Sequence, residues 1–392
     1  MNFKHKFPSY WLGGLVGAIL AALVGLVLLV CDGTVTRVIR ESSYDRAHDI
    51  AHLNSFDLKN AGVVIIYIDE KSLKDLNQPE NAPMDRRLHA KLLNRLTKDG
   101  AKAVAMDIIF SDPGPDPDAD KLLADAIGAN GRVILGADYN RAIEENERPI
   151  PGGVATVEEP IEKVLTFPYA PFKEAAAKTG LVVLTTDLDF TARKHVHYLD
   201  EFDRSRIKPE ERRFVPPSLA WATAQIAGVQ PAKNAAELGA DRWVNYYGPP
   251  GQAIPGISYS QALSADPGFF HDKVVFIGAK PMTGNWNDIR DELRSPYSTW
   301  GAKFMRMPMV EVHATEYLNL ARNDWLKRTS LAAESAILIL TALVFGFGLI
   351  YFRPTIATGV AIVGEIAVVL LVRHLFEANH IWFDWLIISV AQ

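Results

Sequence analysis

Residues 63–69 read VVIIYID, an almost unbroken run of apolar and β-branched side chains that ends in an aspartate. Such a run is typical of a β-strand covered on both faces, because neither face then meets water. A helical pattern with Leu88, Leu92 and Leu96 on one side follows at residues 87–98. We therefore expect a buried strand and then a covering helix, as at the start of an α/β domain.

The same alternation continues along the chain. After Gly100, a helix stop, residues 101–110 (AKAVAMDIIF) predict a second buried strand, residues 121–127 a short helix and residues 132–139 (RVILGADY) a third strand. This order predicts a largely parallel sheet with right-handed crossovers, flanked by helices. Later segments of the same kind are strands at 180–187 (GLVVLTTD) and 273–279 (KVVFIGA) and helices at 218–228 and 310–320.

The segment 140–171 interrupts this pattern. Its prolines and glycines break every element that could be drawn there: Pro149, Pro151, Gly152, Gly153, Pro160 and Pro168. We therefore expect a long excursion or flap between the third strand and the next one.

Apolar runs at both ends of the chain predict membrane spans. Residues 11–30 carry no charge and are long enough to cross about 30 Å of hydrocarbon, and they are longer than the apolar core of a cleaved signal peptide. Residues 331–352 and 355–372, separated by Arg353 and Pro354, predict a transmembrane hairpin. Residues 381–391 reach only about half the thickness and predict a partial third span, so we expect a longer native protein. The predicted organisation is a cytosolic stub and first span at 1–31, an extracytoplasmic α/β domain at 32–330 and C-terminal spans at 331–392.

Composition excludes several classes of protein. With a net charge of -5 and no long basic run, the chain lacks the positive charge needed to neutralise nucleic-acid phosphates. The single cysteine, Cys31, excludes an intrachain disulfide framework and a zinc site made of several cysteines. The chain also lacks the G-x-S-x-G, H-E-x-x-H, Walker and kinase signatures. We therefore expect neither a nucleic-acid partner nor an enzyme in this chain.

Several phrases occur in an order that identifies a resemblance. They are 44–46 (YDR), 68–73 (IDEKSL), Arg87 with 89–90 (HA), 100–101 (GA) with 106–110 (MDIIF), 245–251 (NYYGPPG) and 272–279 (DKVVFIGA). Together they resemble the cyclase- and histidine-kinase-associated sensory extracellular domain of the second type, CHASE type 2, over nearly the whole middle segment. One departure is residues 308–314 (PMVEVHA), where the family usually has a glycine after the proline.

The resemblance implies a layout that the charges alone do not settle. Lys4 and Lys6 favour an N-terminus inside the cell, whereas basic residues near other span ends oppose it. Relatives have one span, an extracytoplasmic sensory domain, usually three close spans and a cytosolic cyclase, kinase or similar output. The resemblance thus implies a sensory domain outside the bacterial cytoplasmic membrane and a homo-oligomer embedded in the lipid bilayer.

Two aspartates lie at or near the ends of predicted parallel strands, Asp69 and Asp107. Ligands of open α/β sheets bind outside these carboxyl ends, so the two carboxylates could share a crevice. Asp112, Asp288 and Asp291 could join them around a divalent cation or a polar ligand. The alternative is that Asp69 and Asp107 cap helices or loop amides and that the loop acids are solvated.

Three further residues are candidates for signal relay. Glu311 and His313 lie in the family pattern before the last helix of the domain, and Glu365 lies near the middle of the second C-terminal span. An ionised Glu365 facing lipid would cost a few kcal/mol, so it must face protein or be protonated. A packing hydrogen bond is the alternative role for Glu365, and a structural hydrogen bond is the alternative for His313.

The leading hypothesis is a receptor whose outer domain binds an unknown ligand or protein and relays the change through residues 310–320. The cytosolic output module, a nucleotide cyclase or kinase, is not in this chain. One alternative is a structural or accessory membrane subunit that binds a protein partner. Another is an extracytoplasmic metal-dependent hydrolase built on Asp69 and Asp107.

Overall fold

The chain divides into two compact units in a computed structural model. The structure describes residues 9–31, 33–51, 58, 60–80, 82–150, 153–197, 212–231, 233, 237, 240, 242–281, 291–299, 304–349 and 352–391. The first unit, which we call the helical unit, comprises Met1–Ser55 and Trp325–Gln392. The second, the sheet unit, comprises Phe56–Asp324.

The secondary structure alternates as expected for an α/β chain between apolar ends. The helices are α1 (Ser9–Val30), α2 (Thr34–Ala51), α3 (Glu70–Asp75), α4 (Arg86–Asp99), α5 (Pro117–Asn130), α6 (Ala170–Ala175), α7 (Leu219–Ile226), α8 (Tyr259–Leu263), α9 (Met309–Arg322), α10 (Leu331–Ala342), α11 (Pro354–Asn379) and α12 (Trp385–Ala391). The strands are β1 (Val63–Ile68), β2 (Ala103–Asp107), β3 (Val133–Ile150), β4 (Gly153–Thr166), β5 (Lys178–Leu181), β6 (Lys194–His195), β7 (Arg242–Trp243), β8 (Gly256–Ser258), β9 (Val274–Ala279), β10 (Glu292–Leu293), β11 (Met307–Pro308), β12 (Lys327–Arg328) and β13 (Ile381–Trp382).

A seven-stranded sheet forms the centre of the sheet unit. Its strands follow the order β4-β3-β2-β9-β1-β8, with β5 also paired to β3. The pairs are parallel, except for the antiparallel hairpin of β3 and β4. Strand β9 lies between β1 and β2, so Phe276 pairs with both Ile65 and Ala105. The predicted, largely parallel sheet is thereby confirmed, and the ends of β1, β2 and β9 lie side by side.

Both faces of this sheet are covered, which explains its continuous apolar strands. Val64, Ile66 and their neighbours in β2, β3 and β9 pack in one buried cluster with side chains of α4, α5 and α8. On the opposite face α9 packs against β9 and β1, and α7 packs against β5, β2 and β3. Burial at about 25 cal/mol per Å² of apolar surface makes these two layers the main source of stability for the unit.

The helix boundaries follow from capping residues in the sequence. Helix α4 begins after Asp85, whose side chain accepts a hydrogen bond from the Arg87 N–H, and ends at Gly100 with a φ of 76°. Helix α5 begins after Asp116, whose side chain accepts from the Asp118 and Ala119 N–H groups. These caps satisfy first-turn N–H groups that have no partner within the helix.

Two expectations about the strands were wrong. The prolines and glycines of segment 140–171 were expected to break every element, but the segment contains a long hairpin of β3 and β4, with a register shift at Ala142 and Ile143, next to the pairing of Ile143 with Pro160. Strand β4 lies at the edge of the sheet, and an edge strand tolerates a residue such as Pro160 that has no N–H group. The strand predicted at 180–187 stops at Leu181, because β3 pairs with β5 only through Ala137 and with β4 from Asp138 onward.

Two described helices of the helical unit are long and apolar enough to cross a membrane. They are Trp11–Val30, with 20 residues and a mean hydropathy of 2.7, and Pro354–Asn379, with 26 residues and a mean hydropathy of 2.3. Only 6% of the apolar window in α11 is buried by other parts of the chain. The apolar helix Leu331–Gly346 is shorter and ends in a π-helical turn at Leu343–Phe347.

The third C-terminal stretch, 381–391, was expected to be one partial helical span, but it is helical only in its second part. Its first residues form β13, which pairs in parallel with β12, so Ile381 and Trp382 lie opposite Lys327 and Arg328. The helix begins only at Trp385, whose indole N–H donates to the Ser43 carbonyl at 3.0 Å. Pairing with β12 therefore takes the start of this stretch out of the predicted helix.

Candidate functional site

A cleft of about 1250 Å³ opens at the carboxyl ends of β1, β2 and β9. Asp69 lines it after β1, Asp107 at the end of β2, and Ala279 and Lys280 at the end of β9. This is the edge at which open α/β sheets bind ligands, because the chain leaves neighbouring strands in different directions there. The cleft is therefore the candidate functional site of the sheet unit.

Asp107 projects from the end of β2 beside Gly278, its register partner on β9. A Cβ on Gly278 would lie 2.7 Å from that of Val310 and 3.1 Å from that of Asp107, so the glycine is needed for the close approach of α9. Burial raises the pKa of Asp107 to about 6; the His313 charge lowers it, and Asp291 and Asp138 raise it. Within the described residues the Asp107 carboxylate has no hydrogen-bond or ion-pair partner.

Asp69 is placed beside the same cleft but acts as the N-cap of α3. Its Oδ1 accepts hydrogen bonds from the Ser72 N–H at 2.9 Å and from the Ser72 hydroxyl at 2.5 Å. Its Oδ2 accepts from the Ser258 hydroxyl. Both carboxylate oxygens are thus used to hold α3 and the start of α8, which is the capping alternative that the sequence left open.

The loop acids are placed differently from one another. Asp112 lines the cleft, and its Oδ2 accepts a hydrogen bond from the Ser111 hydroxyl at 2.6 Å. Asp291 also lines it, and its carbonyl accepts from the Met309 N–H at 2.8 Å at the start of α9. Asp288 lies outside the described residues. The described residues include no group of three or more histidine, cysteine, aspartate or glutamate side chains that could hold a metal ion.

Both arginines of the cleft pair with aspartates. Arg86 pairs with Asp120 and donates from Nη2 to the Asp112 carbonyl at 2.6 Å. Arg87 pairs with Asp116 and, at 3.1 Å, with Asp85. Their charges are therefore compensated by the loop and helix ends that they hold together.

Two other basic residues line the cleft, Lys280 and His89. The Lys280 ammonium is 4.6 Å from the centre of the Tyr67 ring, and a Cβ on Gly251 would lie 3.4 Å from Lys280 Nζ. Burial, and then the Arg86 charge, lower the pKa of His89 to about 4, so this imidazole is neutral at pH 7.

Glu311 lies in the first turn of α9 and is only 1% exposed. Its two carboxylate oxygens share the Gly251 N–H, at 2.9 and 3.0 Å, and Oε2 also accepts from the Tyr67 hydroxyl at 3.3 Å. Burial raises the pKa of Glu311 to about 7, and Gly251, Lys280 and Tyr67 lower it. The turn at Gly251 thus binds an internal carboxylate.

His313, one turn of α9 from Glu316, belongs to a buried chain of ionisable groups. Its Nε2 donates to the Val182 carbonyl at 3.1 Å, and its Nδ1 lies 3.8 Å from Glu316 Oε2. The same Glu316 oxygen lies 3.2 Å from Nδ1 of His195. Burial lowers the pKa of His313, but the Glu316 and Asp107 carboxylates raise it above its ordinary value. Helix α9 therefore carries buried charge beside Asp107.

Glu365, the third relay candidate, lies in the helical unit. Its Oε2 accepts a hydrogen bond from the Ser389 hydroxyl at 3.1 Å, which joins α11 to α12. This contact is the packing alternative that the sequence left open.

A buried charged network in the helical unit was missed by sequence reasoning. Asp384 Oδ2 lies 3.1 Å from Arg40 Nε and 2.7 Å from Arg328 Nη2, and the same Arg328 nitrogen lies 3.1 Å from Glu334 Oε2. Both acids are fully buried. The network joins α2, β12, the first turn of α10 and the start of α12. The signal available in the sequence was an acid at each of two helix starts, with no indication of their arginine partners.

A family model described as the CHASE2 domain matches residues 18–349. Comparisons with curated proteins and with solved structures give no match. The matched range includes the whole cleft, α9 and the start of the C-terminal apolar helices.

Proposed function

The chain belongs to the CHASE2 domain family, a family of sensory domains, and on that premise we propose that it is the sensing part of a bacterial transmembrane receptor. Its sheet unit lies outside the cytoplasmic membrane and binds its signal in the cleft at the carboxyl ends of β1, β2 and β9. The helical unit anchors it in the bilayer, and the protein works as a homo-oligomer. The relayed change acts on a cytosolic output module such as a nucleotide cyclase or kinase.

The observation that carries this proposal is the course of α9. The helix starts at the cleft, where Met309 lines the wall and Glu311 is held by Gly251. At its other end Asn319 donates to the Asn245 carbonyl at 3.0 Å, and Asp324 accepts from the Tyr247 hydroxyl at 2.8 Å. The helical unit begins at the next residue in the chain. A displacement of α9 by a ligand is therefore transmitted directly into the segment that leads to α10.

Apolar surface on α1 and α11 supports the membrane anchor. Leu20 and Val30 on α1 are 57% and 65% exposed, and Val363 and Leu370 on α11 are 66% and 60% exposed. Apolar helices that bury so little of their own surface against the chain are expected to bury it in hydrocarbon.

Cysteine labelling of spheroplasts tests the orientation. In a Cys31→Ser background, Asp125→Cys, on an exposed position of α5, should react with a membrane-impermeant maleimide. Arg353→Cys, exposed at the start of α11, should react only after permeabilisation. The reverse pattern would refute an extracytoplasmic sheet unit.

A chimera tests the relay. A cyclase catalytic domain is joined after Gln392, and Ile109→Trp is introduced to fill part of the cleft, where Ile109 is 40% exposed. The variant should change cyclase activity relative to the parent chimera. Leu122→Trp, at a 51% exposed position of α5 outside the cleft lining, is the matched control and should leave it unchanged. Equal activities in all three chimeras would contradict the proposed relay.

A further inference from the structure

Two oppositely charged groups at the strand ends specify the class of ligand, an inference that rests on the proposed function. We infer that the cleft binds a zwitterion, an organic molecule whose ammonium and carboxylate groups are separated by an apolar spacer. Its ammonium group binds the Asp107 carboxylate, and its carboxylate binds the Lys280 ammonium. The spacer lies against aliphatic side chains of the cleft wall.

The first support is Asp107, the acceptor at the end of β2. Its side chain is partly exposed in the cleft lining and has no hydrogen-bond or ion-pair partner among the described residues, in contrast to the capping carboxylate of Asp69. Burial raises its pKa only to about 6, so the carboxyl is mostly ionised at pH 7. A desolvated carboxylate without a partner is unfavourable, and a charge-assisted hydrogen bond from an ammonium group satisfies it.

The second support is Lys280, the donor that follows β9. Its side chain is exposed in the cleft lining, and its ammonium lies 4.6 Å from the centre of the Tyr67 ring. Within the part of the chain that the structure describes, this ammonium forms no ion pair and no hydrogen bond. Its charge acts on Glu311, but that carboxylate already accepts from the Gly251 N–H and the Tyr67 hydroxyl. The ammonium donors of Lys280 are therefore available to a ligand carboxylate.

The third support is that the two groups face the same side of the sheet at neighbouring strand ends. Asp107 pairs with Gly278 of β9, and a Cβ on Gly278 would lie 2.7 Å from a side chain of α9 and 3.1 Å from the Asp107 Cβ. Tyr67, beside the Lys280 ammonium, donates its hydroxyl to the first turn of α9. Neighbouring strands lie about 4.8 Å apart and rise about 3.3 Å per residue, so the Cα atoms of Asp107 and Lys280 are about 8 Å apart. One small ligand can therefore reach both groups.

The fourth support is the apolar wall of the cleft. Aliphatic side chains from four segments line it: Ile109 after β2, Val182 and Leu184 after β5, Pro281 after β9 and Met309 on α9. Ile109 is 40% exposed, which leaves apolar surface available to a ligand. A volume of about 1250 Å³ accommodates a small organic molecule rather than a bare ion.

Ligands of a single charge fit these groups less well. A simple amine gains nothing from the Lys280 ammonium and is repelled by it, and a simple anion leaves the Asp107 carboxylate without a partner. Calcium needs about six to eight oxygen ligands, and no group of three suitable side chains occurs among the described residues.

The two ends of a zwitterion also act on two buried residues of α9. The Asp107 carboxylate stabilises the charged form of His313, and the Lys280 ammonium stabilises the charged form of Glu311. A ligand that neutralises both cleft groups weakens both of these interactions. Occupancy of the cleft is thereby felt in the helix that leads out of the sheet unit.

The test is binding of 5-aminopentanoate to the full chain in lipid nanodiscs, measured by calorimetry and saturation-transfer NMR. Pentylamine, pentanoate and 1,5-pentanediol keep the spacer and remove one charge or both. We expect 5-aminopentanoate to bind most tightly, because it alone satisfies both Asp107 and Lys280.

Two variants assign the two ends of the ligand. Asp107→Asn should weaken 5-aminopentanoate about 10- to 100-fold, the loss expected for one charge-assisted hydrogen bond, and should weaken pentylamine but not pentanoate. Lys280→Met should weaken 5-aminopentanoate about 2- to 5-fold, because an exposed ion pair contributes less, and should weaken pentanoate but not pentylamine. Asp125→Asn and Lys91→Met remove the same charges from exposed positions outside the cleft lining and should leave binding of every probe unchanged.

Several outcomes would overturn this inference. They are no binding of 5-aminopentanoate at millimolar concentration, equal or tighter binding of the amine, the acid or the diol, or the same loss for every probe in either cleft variant. None of them touches the orientation test or the relay chimera. Conversely, failure of those two tests with intact binding of the zwitterion would refute the receptor and leave the chemistry of the cleft in place.

Discussion

Replacing Glu311 by glutamine should remove a pH dependence of the stability of the sheet unit. The carboxyl is buried, and its pKa is raised from 4.5 to about 7, chiefly by burial. A group with a raised folded pKa holds its proton more tightly when folded, so its stabilisation is present at low pH and lost as the pH rises through about 7. A rise of about 2.5 units corresponds to about 3 kcal/mol lost between about pH 4.5 and pH 8.

Glu311→Gln keeps an acceptor for the Gly251 N–H but carries no charge at any pH. The parent should lose stability between about pH 4.5 and pH 7, and the variant should lose less. Asp107→Asn is the matched control: because the pKa of Asp107 is about 6, its contribution falls at lower pH than that of Glu311.

The assay is hydrogen exchange of the full chain in nanodiscs, followed at the amides of β9 (Val274–Ala279) and corrected for the intrinsic effect of pH. These amides are in the central strands and exchange through global opening of the sheet unit. A variant with the same decline in protection as the parent would refute the assignment of this pH dependence to Glu311.

Three further predictions concern stability, each measured by the same exchange assay. Gly180→Ala should destabilise the sheet unit by about 1–3 kcal/mol, since the new Cβ would lie 2.6 Å from the Leu219 Cα. Its control, Gly128→Ala on α5, should stabilise the unit by about 0.5–1 kcal/mol. Equal effects of the two variants would contradict the packing argument. Asn319→Ala should cost about 1–3 kcal/mol for each buried polar group left unpaired, and an unchanged stability would show that water replaces the amide. Although burial raises the pKa of Glu316, the two histidines beside it lower it to about 2. The stabilisation from Glu316 should therefore be present above about pH 4.5 and lost as the pH falls towards 2. Glu316→Gln should reduce this loss of stability in acid, and an unchanged loss would contradict the prediction.

The sheet was predictable because its strands are buried on both faces. A continuous apolar run such as 63–68 has few interpretations when helical patterns follow it. The β3–β4 hairpin was not predictable in the same way, because its strands extend beyond the covered part of the sheet and contain prolines that normally indicate loops. The end of β5 depended on where β3 changes partner, which is a property of pairing and not of the sequence of β5.

The place of the site was predictable, whereas the roles of its residues were not. A general rule about strand ends located Asp69 and Asp107, and both line the cleft. Whether a carboxylate there caps a helix or faces a ligand depends on the hydroxyl of Ser258, far along the chain. The contact of Glu316 with His195 likewise joins α9 to a short strand that no local pattern relates to it.

A role in stability does not by itself account for the ionisable groups of α9. Glu311, His313 and Glu316 are each at most 2% exposed, on a helix that could pack against the sheet with apolar side chains alone. Replacing buried charges by well-packed apolar residues is often neutral or stabilising, so such groups are weak evidence for a stabilising role. Two of them interact with groups at or near the cleft. Glu311 accepts a hydrogen bond from the Gly251 N–H, and the Asp107 carboxylate raises the pKa of His313. Because buried charges interact strongly with a new charge nearby, a charged ligand in the cleft would act more strongly on α9 than on a purely apolar helix.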